Sequence, residues 1–216
     1  PLYRGDRVGR DRMRAGLWLY DLMAGKNQPV PADGHLNQAE AAARYPFLDS
    51  ETLSGGFLYG DCQTDDFRMV LDVVSGARQA GAAAVNYAQA MGLLSQGRRV
   101  VGAAVQDLIT GDSVEVEASV VVNAAGPWVD QVLASADRPF PRLMGGTKGS
   151  HIVVGDFAGA PVNAVYMEAK ADGRPLFVVP WNEQYLIGTT DIRIDGDPAD
   201  AQASDEEIAY LLDETN

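Results

Sequence analysis

The segment NAAGPW at residues 123–128 combines residue types that let a ligand come close to the backbone. It follows an apolar run, contains the small residues Ala125 and Gly126, and continues with Pro127, which suits the first turn of a helix. The free amide groups at a helix start can bind an anionic group, and glycine leaves room for it. The spacing therefore predicts either a cofactor contact or a tight strand-to-helix turn that binds nothing.

Other kinds of reactive site are not supported by the sequence. It contains no Gly-x-Gly-x-x-Gly after a strand and no phosphate-binding loop motif. With two histidines and one cysteine, an ordinary zinc site would need several carboxylates, so we expect no metal site. The Gly-x-Ser-x-Gly segment of many acyl-transfer enzymes is also missing.

The composition is that of an ordinary globular chain with an acidic surface. Hydrophobic residues make up 46% and charged residues 22% of the 216 residues. Lys and Arg number 17 against 30 Asp and Glu, and the resulting charge of −13 repels nucleic acid. Cys62 is the single cysteine, which excludes a disulfide scaffold, and we expect it to be a buried, unreactive thiol. Without a targeting segment, we expect a cytoplasmic protein with no nucleic-acid partner.

Two segments have the spacing of a capping box, in which a cap residue and a glutamate three positions later bind each other's backbone. Asn37 with Glu40 predicts a helix over 38–44. Ser204 with Glu207 predicts a last helix toward residue 216.

Two further helices are predicted from apolar spacing. One covers residues 10–24 and ends at Gly25, and a loop then extends to Gly34. The other begins after Thr64 and has an apolar stripe that we expect to be buried, formed by Phe67, Val70, Leu71 and Val74.

The rest of the chain has mainly the pattern of strands. Residues 82–123 predict four or five strands separated by turns, and Val120-Val121-Val122 has the continuous apolar run of a buried strand. Further strands are predicted at 56–62, 150–154, 163–168, 175–181 and 184–189. Because helices and strands do not alternate regularly, we predict an α+β fold with a mixed, largely antiparallel sheet.

A series of short motifs resembles the FAD-dependent glycerol-3-phosphate dehydrogenases, and the motifs occur in that family's order. They are GGFLYGD at 55–61, DD-x-R at 65–68, NY at 86–87, VNAAGPWVD at 122–130, KGSHIVV at 148–154, FVVPW at 177–181, IGTTD at 187–191 and GDP at 196–198. Each motif is weak by itself, and their common order carries the resemblance. It covers most of residues 12–216.

The resemblance implies the fold of an amino-acid-oxidase-like flavoprotein, with a substrate domain and part of a discontinuous FAD-binding domain. We expect residues 1–54 to form a helical segment that links the two domains. Residues 55–138 would belong to the FAD-binding domain and 139–216 to the substrate-binding domain. The family's Gly-x-Gly-x-x-Gly segment and most of its phosphate-binding residues would lie outside residues 1–216. We therefore expect a central fragment that, alone, is inactive and retains no FAD.

By the same resemblance, the whole protein would oxidise sn-glycerol 3-phosphate to dihydroxyacetone phosphate by hydride transfer to FAD. Its electrons would pass to a quinone or to another acceptor such as oxygen, with peripheral association at the inner face of the cell membrane. Two alternatives stay open. The chain could belong to another amino-acid-oxidase-like FAD oxidoreductase, or it could be a non-catalytic binding module without a cofactor.

The resemblance also assigns roles to individual residues. His151 would act on the substrate hydroxyl as a general base, which suits an imidazole that titrates near neutral pH. The substrate-binding residues would be Lys148, Arg174 and Thr190. The cofactor contacts would be Ala90, Ala125, Gly126, Pro127 and Trp128. Each assignment has a structural alternative: a strand histidine, exposed cations, or residues of a turn or core.

Overall fold

The structure, a computed structural model, describes residues 1–25, 34–136 and 139–216 and divides into two compact units. Unit 1 comprises Pro1–Gln63, Lys148–Ile192 and Gln202–Asn216, and unit 2 comprises Thr64–Thr147 and Arg193–Ala201. This division differs from the three consecutive segments that we predicted, because both units are discontinuous in sequence. Which unit binds flavin and which binds substrate stays a prediction. Most of the predicted loop after Gly25 lies outside the described residues.

The predicted α+β class, with largely antiparallel strands, is confirmed. In chain order the elements are β1 (Leu2–Tyr3), α1 (Arg10–Ala24), β2 (Gly34–Asn37), α2 (Gln38–Arg44), β3 (Leu53–Leu58), α3 (Asp66–Gln79), β4 (Ala88–Gln96), β5 (Arg99–Asp107), β6 (Ser113–Glu117), α4 (Val129–Ala134), β7 (Thr147–Lys148), β8 (His151–Val154), β9 (Val165–Glu168), β10 (Pro175–Trp181), β11 (Gln184–Gly188), β12 (Ile192–Arg193) and α5 (Asp205–Thr215). Short 3-10 turns occupy Gly126–Trp128 and Pro198–Asp200.

Unit 1 is built on an antiparallel sheet with the strand order β8-β11-β10-β9. Helix α5 packs on one face of this sheet, where Ala169, Leu176 and Leu211 are buried together. A second antiparallel sheet has the order β1-β3-β2. The side chains of one face of the larger sheet therefore form a core, while the other face remains available for a site.

Both predicted capping boxes of unit 1 are present. In α2, the Asn37 side chain accepts a hydrogen bond from the Glu40 backbone at 3.0 Å, and the Glu40 carboxylate accepts one from Asn37 N at 2.8 Å. In α5, Ser204 Oγ accepts from Glu207 N at 3.3 Å, and Glu207 Oε2 accepts from Ser204 N at 2.9 Å. These bonds satisfy amide groups that have no partner inside the helix.

Unit 2 contains the antiparallel sheet β4-β5-β6 and the helices α3 and α4. The ladder between β4 and β5 is irregular between Ala90 and Gly92, which makes Met91 an extra residue on the β4 side. Leu93 N donates a hydrogen bond to Ser135 Oγ at 3.3 Å, next to the end of α4. The region that predicted four or five strands thus forms three.

Two burial predictions in unit 2 are wrong. The apolar stripe of α3 is exposed, with Phe67 64% and Val70 56% accessible, and no described α3 side chain is buried. The segment 120–122 forms no strand, and Val120 and Val122 are 76% and 81% accessible. Apolar periodicity identifies one side of a helix or strand, but it does not show which element covers that side. Within the described residues, no helix has the length and apolar character needed to span a membrane.

Candidate active site

His151 is the first residue of β8 and lies opposite Gly188 in the ladder with β11. Its imidazole packs against the α-carbon of Gly188, since a β-carbon built there would be 2.4 Å from His151 Cδ2. The bare backbone of Gly188 therefore sets the position of the ring. Partial burial lowers the pKa of His151 below its ordinary value of 6.5. The neutral imidazole, which can accept a proton, is thus the main form at pH 7.

The face of the sheet that carries His151 is apolar and borders a cavity. Paired residues of antiparallel strands share a face, so His151 lies on the same side as Leu186, Phe177 and Val179. These three residues, with Trp181 and others but without His151 itself, line a cavity of about 910 Å³ within unit 1. A volume of this size, with mainly apolar walls, is typical of sites for small molecules and cofactors.

A buried carboxylate lies close to the start of β8. Glu207 is 1% accessible and accepts hydrogen bonds from side chains of three distant residues. Its Oε1 accepts from Ser150 Oγ at 2.9 Å and from Thr190 Oγ1 at 2.6 Å. Its Oε2 accepts from Lys148 Nζ at 2.7 Å. We call these four side chains the Glu207 network.

The Glu207 network keeps this carboxylate ionised. Burial by itself would raise the pKa of Glu207, but the hydrogen bonds of the network and of the helix cap lower it from 4.5 to about 2. Lys148 is therefore already paired with a negative charge, and Thr190 is 4% accessible. That Lys148 and Thr190 bind substrate stays a prediction. Both side chains bind Glu207, Lys148 Nζ also donates to Gln202 O, and Thr190 Oγ1 accepts from Ser150 N.

Arg174, the third predicted substrate ligand, lies just before β10 and pairs with two carboxylates. Its Nε is 3.0 Å from Asp172 Oδ2, and its Nη1 is 3.1 Å from Asp191 Oδ2. Its side chain remains 40% accessible. Ion pairs that are exposed to this degree contribute little stability, so an anionic ligand can replace one of these carboxylates at small cost.

The predicted cofactor segment of unit 2 forms a turn that its own side chains stabilise. Asn123 Nδ2 donates to Val129 O at 3.0 Å, and its Oδ1 accepts from Ala125 N at 3.3 Å. The 3-10 turn that follows begins at Gly126, as the position of Pro127 predicted. Trp128 Nε1 donates to Asp197 Oδ1 at 3.0 Å, which fixes the indole.

The backbone of this turn is open on one side. Gly126 has a φ of +53°, a conformation that favours glycine, and nothing lies within 4 Å of a β-carbon built on it. A planar group can therefore approach the backbone at Gly126. Ala90, the other predicted cofactor contact, is exposed in β4 beside the irregularity at Met91. Contacts of Gly126 and Ala90 with a cofactor stay predictions.

Two features of unit 1 were missed by the sequence reading. Glu207 was recognised only as a capping residue, and its burial with Lys148 had no local signal because the two residues are 59 positions apart. Gly188 was not singled out, although glycine within a strand indicates a close approach by another group. The prediction for Cys62 is wrong, because its thiol is exposed.

Comparison with known proteins places the chain in a family. The family described as DAO, FAD dependent oxidoreductase, matches residues 4–216. The chain belongs to this family. A glycerol-3-phosphate dehydrogenase of Synechocystis sp. is 39% identical to this chain over 227 residues, and the match covers 100% of the chain and 41% of the relative. An aerobic glycerol-3-phosphate dehydrogenase of Staphylococcus haemolyticus is 31% identical over 217 residues, with 100% and 39% covered. The chain thus spans about two fifths of the length of these relatives.

Solved structures agree with the predicted amino-acid-oxidase-like fold. The glycerol-3-phosphate dehydrogenase from Bacillus halodurans, complexed with FAD, has a TM-score of 0.76 and 33% identity, covering 84% of this chain and 37% of that one. A glycine oxidase from Bacillus cereus has a TM-score of 0.63 at 16% identity, with 98% and 55% covered, and shows the fold alone. The predicted relationship to FAD-dependent oxidoreductases is confirmed.

Among the described residues, two places have the shape and chemistry that suit part of a bound FAD, one in each unit. The open side of Gly126 leaves space for a planar group next to a backbone turn. In unit 1, the cavity is lined by the aromatic side chains of Phe177 and Trp181 among other apolar groups, as suits a ring system.

Proposed function

We propose that this chain is part of an enzyme that oxidises sn-glycerol 3-phosphate to dihydroxyacetone phosphate with FAD as its cofactor. The observation that carries the proposal is that His151 is accessible on the same sheet face as Phe177, Val179 and Leu186, which line a cavity of small-molecule size. The names of the relatives support the choice of substrate. The enzyme would act in glycerol metabolism in the cytoplasm.

Oxidation of a secondary alcohol to a ketone removes the hydroxyl proton together with the hydrogen and two electrons of the same carbon. FAD, when bound, supplies the acceptor for that hydrogen and its electrons. His151 accepts the hydroxyl proton on an imidazole nitrogen, and its lowered pKa keeps it ready to do so at pH 7. The backbone of Gly188 contacts the imidazole ring and holds it in place.

The substrate phosphate would be bound by Arg174, because a guanidinium can form two parallel hydrogen bonds with a phosphate. Asp191 is the exposed carboxylate that a phosphate would replace. Direct contacts of Lys148 and Thr190 with substrate are part of the same proposal, although both bind Glu207 here. Cofactor contacts are proposed for Ala90, Ala125, Gly126, Pro127 and Trp128.

The electron acceptor of the whole protein would be a quinone or another acceptor such as oxygen, and peripheral association with the inner face of the cell membrane would bring it close to a quinone. Comparing reoxidation of the reduced flavin by a soluble quinone with reoxidation by oxygen distinguishes these acceptors.

The proposal is tested by single-turnover reduction of the flavin in the whole protein. Replacing His151 by Gln should lower the reduction rate by about 10²- to 10⁴-fold, the usual contribution of a positioned base, with unchanged FAD content. A rate within about threefold of wild type would mean that His151 is a structural residue. A substrate panel that includes glycine and L-proline tests the alternative of another amino-acid-oxidase-like enzyme.

A further inference from the structure

We infer that Glu207 is a positioning residue for His151, because its buried carboxylate ties together the two chain segments that hold the imidazole in place. The inference rests on the proposed function, in which His151 accepts the substrate proton. Glu207 itself is on α5, behind the sheet, and acts only through its partners.

The first of these segments leads into β8. Ser150 immediately precedes His151, and its hydroxyl donates to Glu207 Oε1 at 2.9 Å. Lys148, two residues earlier, donates to Glu207 Oε2 at 2.7 Å. The side chains on both sides of Gly149 are therefore attached to one carboxylate, which fixes the path of the backbone just before the imidazole.

The second segment leaves β11. Thr190 follows Gly188 by two residues, and its hydroxyl donates to Glu207 Oε1 at 2.6 Å. The same hydroxyl accepts from Ser150 N at 2.8 Å, and Thr190 N donates to Ser150 O at 3.2 Å. The two segments are thus joined next to the point where the His151 ring packs on Gly188. A change in their spacing moves the ring or removes its support.

A carboxylate is needed because it is surrounded by donors only. Lys148 Nζ and Ser204 N both donate to Oε2, while two hydroxyls donate to Oε1. A glutamine has the same shape but lacks the negative charge that pairs with Lys148. Its amide nitrogen would either oppose the donors Lys148 Nζ and Ser204 N at the Oε2 position, or, at the Oε1 position, force both hydroxyls to accept where they now donate. Glu207→Gln therefore disturbs the network without leaving a cavity.

The experiment uses the FAD-loaded whole protein and single-turnover flavin reduction. Glu207→Gln should lower the rate at saturating substrate by roughly 10- to 100-fold, as expected when a catalytic group is misplaced by about 1 Å. FAD content should stay near its wild-type value. A raised KM with an unchanged rate at saturating substrate would report only the loss of the proposed substrate contacts of Lys148 and Thr190, and would overturn the positioning role. Glu206→Gln is the matched control. It removes the same charge from the exposed neighbouring residue, which contacts Ser204 of the helix cap but does not hold Ser150 or Thr190, and it should change the rate by less than about twofold.

A double-variant cycle separates positioning from general structural damage. If Glu207 acts through His151, Glu207→Gln should cause no further loss in a His151→Gln background. Multiplicative losses in the double variant, or a wild-type rate for Glu207→Gln alone, would overturn the inference. Should Glu207→Gln fail to fold, Ser150→Ala removes one hydrogen bond of the same network and must meet the same criterion.

A structural measurement distinguishes failure of this inference from failure of the proposed function. If His151→Gln has no effect on flavin reduction, the proposed role of His151 is wrong. The crystal structure of Glu207→Gln then decides the positioning role separately: an imidazole displaced from Gly188 supports it, and an unmoved ring overturns it.

Discussion

Replacing Glu207 by Gln should destabilise the 216-residue chain by an amount that depends on pH. The pKa of Glu207 is lowered from 4.5 to about 2 in the folded chain. Each unit of such a pKa difference corresponds to about 1.4 kcal/mol, which sets an upper limit of roughly 3.5 kcal/mol at pH 7. Because solvent reaches the 19%-accessible Lys148 side chain, screening reduces this value, and we expect about 1–3 kcal/mol.

The sign follows from the direction of the pKa change. A carboxylate whose pKa is depressed by folding contributes stability that is fully present above the unfolded pKa near 4.5 and is lost as the pH falls toward the folded value of about 2. At about pH 3 the difference between wild type and Glu207→Gln should therefore be less than half of its value at pH 7. Both pH values lie away from the isoelectric point near 4.4, where the chain is least soluble.

The assay is urea unfolding followed by far-UV circular dichroism at both pH values. Glu206→Gln is again the control, and because its exposed carboxylate only contacts Ser204 at the helix start, we expect it to lower the free energy of unfolding clearly less than Glu207→Gln does. If Glu207→Gln loses no more stability than Glu206→Gln at pH 7, the buried carboxylate stabilises the fold no more than an exposed charge in the first turn of the helix. If its effect is equal at both pH values, the loss arises from packing and not from the ionised group.

Further predictions concern the His151 site and the flavin. Flavin reduction in the whole protein should accelerate as pH rises through an inflection below 6.5, because neutral His151 is the reactive form, and this inflection should be absent in His151→Gln. Gly188→Ala should displace the imidazole and slow reduction by roughly 10- to 100-fold, whereas Gly196→Ala, which meets open space, should leave the rate unchanged. Gly126→Val should abolish FAD retention in the whole protein, and stoichiometric FAD in that variant would contradict a cofactor contact. In the 216-residue chain the same change should lower the free energy of unfolding, measured by urea titration, by only about 1–3 kcal/mol, because Gly126 has a positive φ. The 216-residue chain should purify without flavin absorbance, and a yellow protein after gel filtration would disprove this.

Local patterns predicted local structure well in this chain. Asn37 with Glu40 and Ser204 with Glu207 identified the starts of α2 and α5, because a capping box involves residues only three positions apart. The strands β8 to β11 also lie within one or two residues of the predicted ranges. The exposed stripe of α3 was predicted incorrectly, since burial depends on partner elements that the helix sequence does not describe.

The candidate site was predictable in part. The resemblance pointed to the KGSHIVV and IGTTD segments, but it could not show how they meet. The contacts of Glu207 with Ser150 and Lys148 bridge 57 and 59 positions, and the sequence contains no signal for such pairs. The fit of His151 on Gly188 depends on the register between β8 and β11, which only the folded sheet defines.

The Glu207 network divides the motif residues into two groups with different tasks. Lys148 and Ser150 of one motif and Thr190 of the other turn toward the carboxylate behind the sheet. His151, directly after Ser150, lies on the opposite, apolar face, because successive side chains of a strand alternate. A residue of such a motif can therefore hold its neighbour in place through a partner on the far side of the sheet. This alternation explains why a buried charge on α5 can govern a histidine that it does not touch.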